Sequence, residues 1–296
     1  MLLTKILDLI KCKNVYSLNK KKIYFNYISS NSKEIKKFSI FIVSNSNSIY
    51  IKEAISRGAI AIISNKYFKD IKIDQYIVED INEATKNILK KLKPKEPLNS
   101  IAITGTNGKT SVAWYISQLC LFNNQPSKTL GTLGFYINNK KKNNSFLTTP
   151  NYEILYQAAF SKINNKYNFI FEASSHAIDQ DRLNSFPINI GAITNISQDH
   201  LDYHKTIKKY QKTKFKLFTN YLNHKSYSIL NDNITDIHLL KDIIKKKTKI
   251  ISYGRSKSDI NLTVNKKNIN IKYFKKKFIL KSITYNKIDL ENIACA

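Results

Sequence analysis

A strand-like run that breaks at a glycine loop and restarts as a helix, strand–helix alternation downstream of it, and a late switch to two-residue periodicity predict an α/β protein. The expected architecture is a small N-terminal α/β domain over 1–95 followed over 98–296 by a second domain. That second domain is read as P-loop-type: a mostly parallel sheet with helices on both faces and an antiparallel C-terminal extension. The chain's 296 residues, 42% hydrophobic, suffice for two separate cores.

The first ten residues, Met1 to Ile10, are apolar but interrupted by Lys5 and Asp8, and predict a short amphipathic helix. They lack the small-residue cleavage site of a secretory leader. Phe38–Val43 and Ala59–Ile63 read as strands, Ile49–Ser56 and Asn82–Leu92 as helices. Lys93-Pro94-Lys95-Glu96-Pro97 then reads as a linker, because its two prolines cannot continue a helix. In the second domain the apolar runs predict strands at Ile101–Thr104, Lys128–Leu133, Phe169–Glu172, Ile190–Asn195, Ser228–Asn231 and Lys249–Tyr253. After Gly254, Asn261–Val264 and Lys277–Leu280 alternate as antiparallel strands do, and the chain ends at Asn292–Ala296 inside a further helix.

Composition narrows the functional classes. Cys12, Cys120 and Cys295 stand far apart, with neither zinc spacing nor an even disulfide framework, which predicts a reducing, cytoplasmic location. No run is long and apolar enough to span a membrane. The formal charge of +28 would suggest a nucleic-acid partner. Its lysines are strewn along the chain with asparagine and isoleucine, all with A/T-rich codons, so base composition accounts for the excess and no nucleic acid is expected as the main partner.

Chemistry concentrates at Thr104-Gly105-Thr106-Asn107-Gly108-Lys109-Thr110-Ser111. Between the strand at Ile101 and the helix opening at Ser111, glycines let backbone N–H groups approach phosphates and the helix N-terminus adds its positive end. Lys109 meets the outer phosphates and Thr110 can hold Mg²⁺, so the loop Gly105, Thr106, Asn107, Gly108, Lys109, Thr110 and Ser111 reads as an ATP–magnesium site. Ile103 stands where the long form of the motif has a glycine.

In parallel sheets ligands gather outside the carboxyl ends of strands. Leu147-Thr148-Thr149-Pro150 places two hydroxyls before a proline-initiated helix, suited to a helix cap and equally to an anion. Glu172 ends an apolar strand and is followed by Ser174, Ser175, His176, Asp179, Gln180 and Arg182, a density of polar groups seldom structural. Asn195 to His204 adds imidazole and carboxylate. On the helix predicted over 206–218, Lys214 falls on the face shared by Ile207, Tyr210, Leu217 and Phe218, whereas Lys208, Lys209, Lys212 and Lys216 point elsewhere. Lys214 is therefore either a stem that packs inward and snorkels, or a buried amine with a lowered pKa.

These segments resemble the Mur ligase family, MurE type. The matching residues are Gly105–Ser111, Leu147–Pro150, Glu172–Arg182, Thr194-Asn195, Asp199–His204, and Tyr210 through Lys214 to Phe218, with Asn231-Asp232 similar to the adenine-side segment. The resemblance implies an ATP-dependent amide-bond ligase of peptidoglycan precursor synthesis and cell-wall biogenesis. Its partners would be UDP-N-acetylmuramoyl-L-alanyl-D-glutamate and a free amino acid, meso-diaminopimelate by expectation, joined through an acyl phosphate. Lys109, Glu172, His200 and Lys214 would be catalytic, and Asn231 would join the loop in holding ATP. Thr110 with Glu172 would bind one Mg²⁺, and His200 with Lys214 a second, after CO₂ converts Lys214 into a carbamylated lysine. Ser32, Thr148, Thr149, Ser174, Gln180 and Arg182 would hold the muramoyl-peptide substrate, Arg182 being suited to a carboxylate or phosphate.

By the same resemblance residues 1–95 would form the UDP-substrate-binding domain and 98–296 the central ATP-binding domain, in a monomer without membrane contact. Asn31-Ser32-Lys33 stands where the family has Asp-Ser-Arg, and Asn233 where it has an acid. The family's third, C-terminal domain is expected to be absent. The alternatives are a truncated remnant that binds nucleotide with little or no turnover, and a basic nucleic-acid-binding protein.

Overall fold

The structure, a computed structural model, describes residues 1–16, 23–44, 46–144, 147–183, 185–254, 257–264, 268–281 and 287–296. Its elements begin with β1 (Cys12–Tyr16), β2 (Tyr27–Ser29), β3 (Ser39–Ile42), α1 (Ile51–Ser56), β4 (Ala59–Ser64), β5 (Asp74–Val78) and α2 (Ile81–Leu92). There follow β6 (Asn99–Thr104), α3 (Lys109–Phe122), β7 (Ser127–Gly131), β8 (Gly134–Ile137), β9 (Lys140–Asn143), α4 (Tyr152–Ala159), β10 (Asn168–Glu172) and α5 (Ser175–Asp179). The last are β11 (Ile190–Ile193), α6 (Leu201–His204), α7 (Ile207–Asn220), β12 (Tyr227–Asn231), α8 (Ile237–Ile244), β13 (Lys249–Tyr253), β14 (Ile260–Val264), β15 (Asn268–Tyr273), β16 (Lys276–Lys281) and α9 (Lys287–Cys295). The chain divides into one compact unit of Met1–Glu96 with Asn151–Asn165, and a second of Pro97–Pro150 with Lys166–Ala296. The break at 96/97 falls in the two-proline segment, and α4 packs with the first unit although it is entered from the second.

The first unit carries a sheet in the order β1-β5-β4-β3-β2, parallel except for β1. Its core gathers Phe41, Val43, Ile51, Ala54 and Ile62. Asp80 caps α2 by accepting from the backbone of Asn82 and Glu83 at 2.8 and 2.9 Å. The expected N-terminal helix is instead a single 3-10 turn, Leu3–Ile6, which buries Leu3 and Ile6 while Leu2 bridges to Tyr24. A segment this short gains too few hydrogen bonds to hold an α-helix, and its apolar residues are satisfied by burial alone. Strands β1, β2 and β5 escaped the apolar-run criterion: lysine and asparagine interrupt β1, aspartate and glutamine open β5, and β2 is only three residues long.

In the second unit the sheet runs β16-β15-β14-β13-β12-β11-β6-β10-β7-β8-β9. The strands from β14 to β7 are parallel, and antiparallel hairpins extend both edges. The C-terminal hairpin was expected; β8–β9 was not, and it shortens the predicted strand 128–133 because Gly131 pairs with Gly134 across a turn. Alternation along the strands sends Ile101, Ile103 and Ile170 to the face packed with Val112, Ile116 and Ala294 of α3 and α9. The opposite face carries Phe169 and Phe171 against Phe186, and Gly191 lies under Phe218 and Leu222 at the end of α7. Both faces are thus covered, as continuous apolar strands require.

Candidate functional site

The carboxyl ends of β6, β10 and β11 meet in the second unit, and the phosphate loop lies there between β6 and α3. Gly108 caps α3 at φ 82° and Gly105 has φ 141°, conformations that L side chains rarely adopt. A Cβ at Gly105 would collide with Thr194 Oγ1, and one at Gly108 with Asn292 Oδ1. The loop is stitched to the segment after β11. Thr106 N donates to Asn195 O at 2.9 Å, Asn107 N to Asn195 Oδ1 at 3.0 Å, and Thr194 Oγ1 to Asn107 O at 2.5 Å. Ser111 is half-buried in the first turn of α3.

Two lysines converge on one carbonyl. Lys109 Nζ donates to Gly105 O at 2.9 Å and Thr106 O at 2.8 Å, and Lys214 Nζ reaches the same Gly105 O at 2.8 Å. Lys214 is only 1% exposed, which resolves the helix-face alternatives in favour of the buried amine. Its α7 neighbours Tyr210, Leu217 and Phe218 are buried with it; Ile207, placed on that face from the sequence, is 40% exposed at the helix start. Burial pushes the Lys214 amine far below its usual pKa, the charge of Lys109 adds to this, and Asp199 opposes it. Burial also lowers Lys109, against the attraction of Glu172 and Asp199.

Glu172 ends β10 at 2% exposure. Its Oε1 accepts from Thr110 Oγ1 at 3.0 Å and Thr132 N at 2.8 Å, and its Oε2 from Thr132 Oγ1 at 3.2 Å. The hydroxyl–carboxylate pair of Thr110 and Glu172 is the hard-oxygen donor set that magnesium takes, so the residues fit the ion. At His200 and Lys214 the fit is conditional, since an ammonium cannot ligate a metal. Among the described residues no three His, Cys, Asp or Glu side chains converge to hold one. A buried amine with a depressed pKa is the form that can add CO₂ and so acquire oxygen donors.

His200 itself sits in a left-handed conformation, φ 50°, at the start of α6. Its Nε2 lies 3.4 Å from Asp199 Oδ2, and its ring centroid 5.0 Å from that of His176. Burial lowers the pKa of His176 and of His204, whose buried Nε2 has no hydrogen-bond partner among the described residues.

The remaining hydroxyls and Arg182 form a second cluster beside Glu172. Thr149 Oγ1 donates to Glu172 O at 2.6 Å and lies 3.2 Å from Ser174 Oγ, while Thr148 pairs with Thr132. Arg182 donates to Thr149 O at 2.8 Å and to Gln180 Oε1 at 2.6 and 3.0 Å. Ser174 caps α5 through Ala177 N at 3.2 Å. Thr149 caps no helix: α4 starts at Tyr152 with Asn151 as N-cap, because the hydroxyl is turned to the end of β10.

Asn231 is 1% exposed with its amide engaged by Thr194 O at 2.6 Å, Glu291 at 3.3 Å and Asn233 N at 2.9 Å. Two residues of α9 escaped sequence reasoning: Glu291, which also accepts from Asn233 at 3.1 Å, and Asn292, 4% exposed against Gly108. At Asn292 a signal was present, since Ile288 and Cys295, at helical spacing on either side of it, are apolar, much as the neighbours of Lys214 are on its own helix face.

Ser32 lies in the first unit, 5% exposed, its hydroxyl donated to Glu53 Oε2 at 2.7 Å. Glu53 also accepts from Arg57 at 3.0 Å.

A parallel sheet whose central strand feeds a glycine loop, a lysine and a hydroxyl at a helix N-terminus defines a phosphate-loop α/β domain. Comparison with known proteins carries this to a family. The family model "Mur ligase middle domain" matches residues 103–295. The chain belongs to the Mur ligase family. It is similar to the UDP-N-acetylmuramoyl-L-alanyl-D-glutamate--2,6-diaminopimelate ligase of Rickettsia bellii (strain RML369-C), 35% identical over 264 residues that cover 88% of this chain and 55% of the relative. The ligase of the same name from Aquifex aeolicus (strain VF5) is 36% identical over 245 residues, 79% of this chain and 49% of the relative.

The chain thus spans about half the length of the curated relatives it matches. A solved structure of a ligase with that name covers 100% of this chain and 62% of its own, with TM-score 0.70 at 24% identity. The MurF ligase of Thermotoga maritima in complex with ADP covers 93% of this chain and 62% of its own, with TM-score 0.65 at 20% identity. At these identities the two structures establish the fold. Among the described residues no helix is long and apolar enough to cross a membrane.

Proposed function

We propose that this chain carries the nucleotide-binding and phosphoryl-transfer part of a MurE-type ligase, which joins an amino acid to UDP-N-acetylmuramoyl-L-alanyl-D-glutamate at the expense of ATP. The observation that carries the reading is the convergence of Lys109 and Lys214 on Gly105 O, beside a Thr110–Glu172 pair 3.0 Å apart. The names of the relatives support diaminopimelate as the amino acid.

In this reading the γ-phosphoryl group passes from ATP to an oxygen of the substrate glutamate carboxylate, breaking the P–O bond to ADP. The incoming amine then attacks the acyl carbon, phosphate leaves with the C–O bond pair, and the amine loses a proton. Lys109 supplies a cation at the phosphates, and the N–H groups at the start of α3 orient them. Thr110 with Glu172, and His200 with a carbamylated Lys214, would hold two magnesium ions. Magnesium, when bound, neutralises phosphate charge. Thr148, Thr149, Ser174, Gln180 and Arg182 would orient the substrate, so that positioning and charge neutralisation do most of the catalysis. Asn231 would act by holding the base-side segment to Thr194, and Ser32 only by exchanging its Glu53 partner for the substrate.

The test is phosphate release from ATP by the 296-residue chain. Release that needs both the UDP-muramoyl dipeptide and diaminopimelate, and disappears in Lys109→Ala, supports the ligase. Release indifferent to the dipeptide overturns it. Tight MgATP binding without any release reduces the function to nucleotide holding.

A further inference from the structure

We propose that Tyr210 is a positioning residue, which through Thr106 registers α7, and with it the Lys214 amine, against the phosphate loop. The inference rests on the nucleotide site proposed above and assigns a role to a side chain outside the ligand-holding residues named there. Tyr210 is 1% exposed, and its hydroxyl donates to Thr106 Oγ1 at 3.3 Å. One turn along the helix, Lys214 Nζ lies 4.4 Å from the centre of the Tyr210 ring and reaches Gly105 O at 2.8 Å. At about 100° per residue, positions four apart share a face, so the ring lines the path that the lysine stem must take. A single side chain therefore bonds one loop residue and flanks the amine that bonds the residue before it.

Thr106 makes the contact more than a local one. Its Oγ1 donates to Ser197 O at 3.2 Å and accepts from Ser197 N at 3.0 Å, three residues before His200. Three stretches of chain, the loop, the segment carrying His200 and the helix carrying Lys214, thus meet at one hydroxyl. Ordinary core packing accounts for the burial of the Tyr210 ring, but it does not require that the phenol end on the phosphate loop. Registry does, because the bond adds a tie between α7 and the loop one turn from Lys214, where a shift of about 1 Å would part the amine from Gly105 O.

The experiment is a double-mutant cycle of Tyr210→Phe and Thr106→Val, read as MgATP affinity of the 296-residue chain by isothermal titration. Lys109→Ala serves as the loss-of-site control, and unfolding midpoints show that each variant folds. Tyr210→Phe keeps the ring and deletes one hydrogen bond, so affinity should fall about three- to tenfold in the wild-type background. In the Thr106→Val background the same change should cost less than about twofold, since the partner hydroxyl is already gone. A merely structural tyrosine would cost the same in both backgrounds, and that equality overturns the proposal. So does an unchanged affinity in Tyr210→Phe while Lys109→Ala abolishes binding, a result that leaves the nucleotide site standing. Absence of MgATP binding by the unaltered chain removes the site and this inference with it.

Discussion

The phosphate loop of the second unit and the Asn31–Lys33 turn of the first were both expected to meet anions, and they are built on opposite principles. At the loop, Lys109 and Lys214 are held by backbone carbonyls, and among the described residues neither makes an ion pair. A neutral oxygen gives up the Lys109 ammonium readily when a phosphate arrives, because the new partner is charged and the old one is not. At the turn, Ser32 is bonded to the Glu53 carboxylate, whose other partner is Arg57. That arrangement sets a carboxylate beside the Ser32 hydroxyl. An anion site is thus distinguished less by its donors than by what those donors hold while they wait.

The largest effect that would break this contrast is expected at Gly105. Its φ of 141° and the crowding of Thr194 Oγ1 leave no room for a Cβ. Gly105→Ala should cost about 2–5 kcal/mol of stability, the sum of a strained dihedral and an overpacked contact. MgATP binding should vanish with it, since the carbonyl shared by both lysines would move. Urea unfolding and calorimetric titration check the two halves. Near-native stability together with native affinity would show that the loop tolerates another path, and the carbonyl would lose its central place.

How far the sequence revealed these regions follows from how local their causes are. The loop was legible because Gly105, Gly108 and Lys109 encode its shape within five residues, and Lys214 because helical phase alone turns it inward. The parallel order of the second sheet was legible from its apolar strands. Three features were not. Asn292 reaches Gly108 only because α9 returns across the sheet. Ser32 meets Glu53 on α1 across 21 positions of sequence that include β3, and nothing at Ser32 signals that partner. Strands such as β5 carry Asp74 and Gln75 fully buried, so polarity hid them; Gln75 is satisfied by Phe68 O and Ile71 O at 2.9 and 3.1 Å, bonds that no period shows.

A smaller effect would sharpen the loop side of the comparison. Glu172→Gln preserves the shape of the side chain and one acceptor for Thr110 and Thr132, but removes the charge beside the loop. The magnesium concentration needed for half-maximal ATP binding should rise about tenfold, the loss expected for one charge-assisted contact. ATP affinity measured without magnesium should stay level or improve, because a negative neighbour of the phosphates has gone. An unchanged magnesium requirement would mean that Glu172 straps the turn after β7 to β10 and does no more.

The smallest effect is expected in the first unit, and it decides whether the contrast is real. Ser32→Ala deletes a hydroxyl that is 5% exposed and already donated to Glu53. If that bond persists when ligand is present, titration of the chain with UDP should give an affinity within about twofold of the unaltered protein, below the loss that a direct charge-assisted contact would cause. Glu53→Gln is the companion, because it removes the opposing charge while leaving an acceptor for the serine. UDP should then bind more tightly, as a diphosphate no longer faces a carboxylate. A tenfold loss in Ser32→Ala would instead show the hydroxyl leaving Glu53 to meet the ligand. The turn would then be a waiting site like the loop, with a charged placeholder where the loop uses carbonyls.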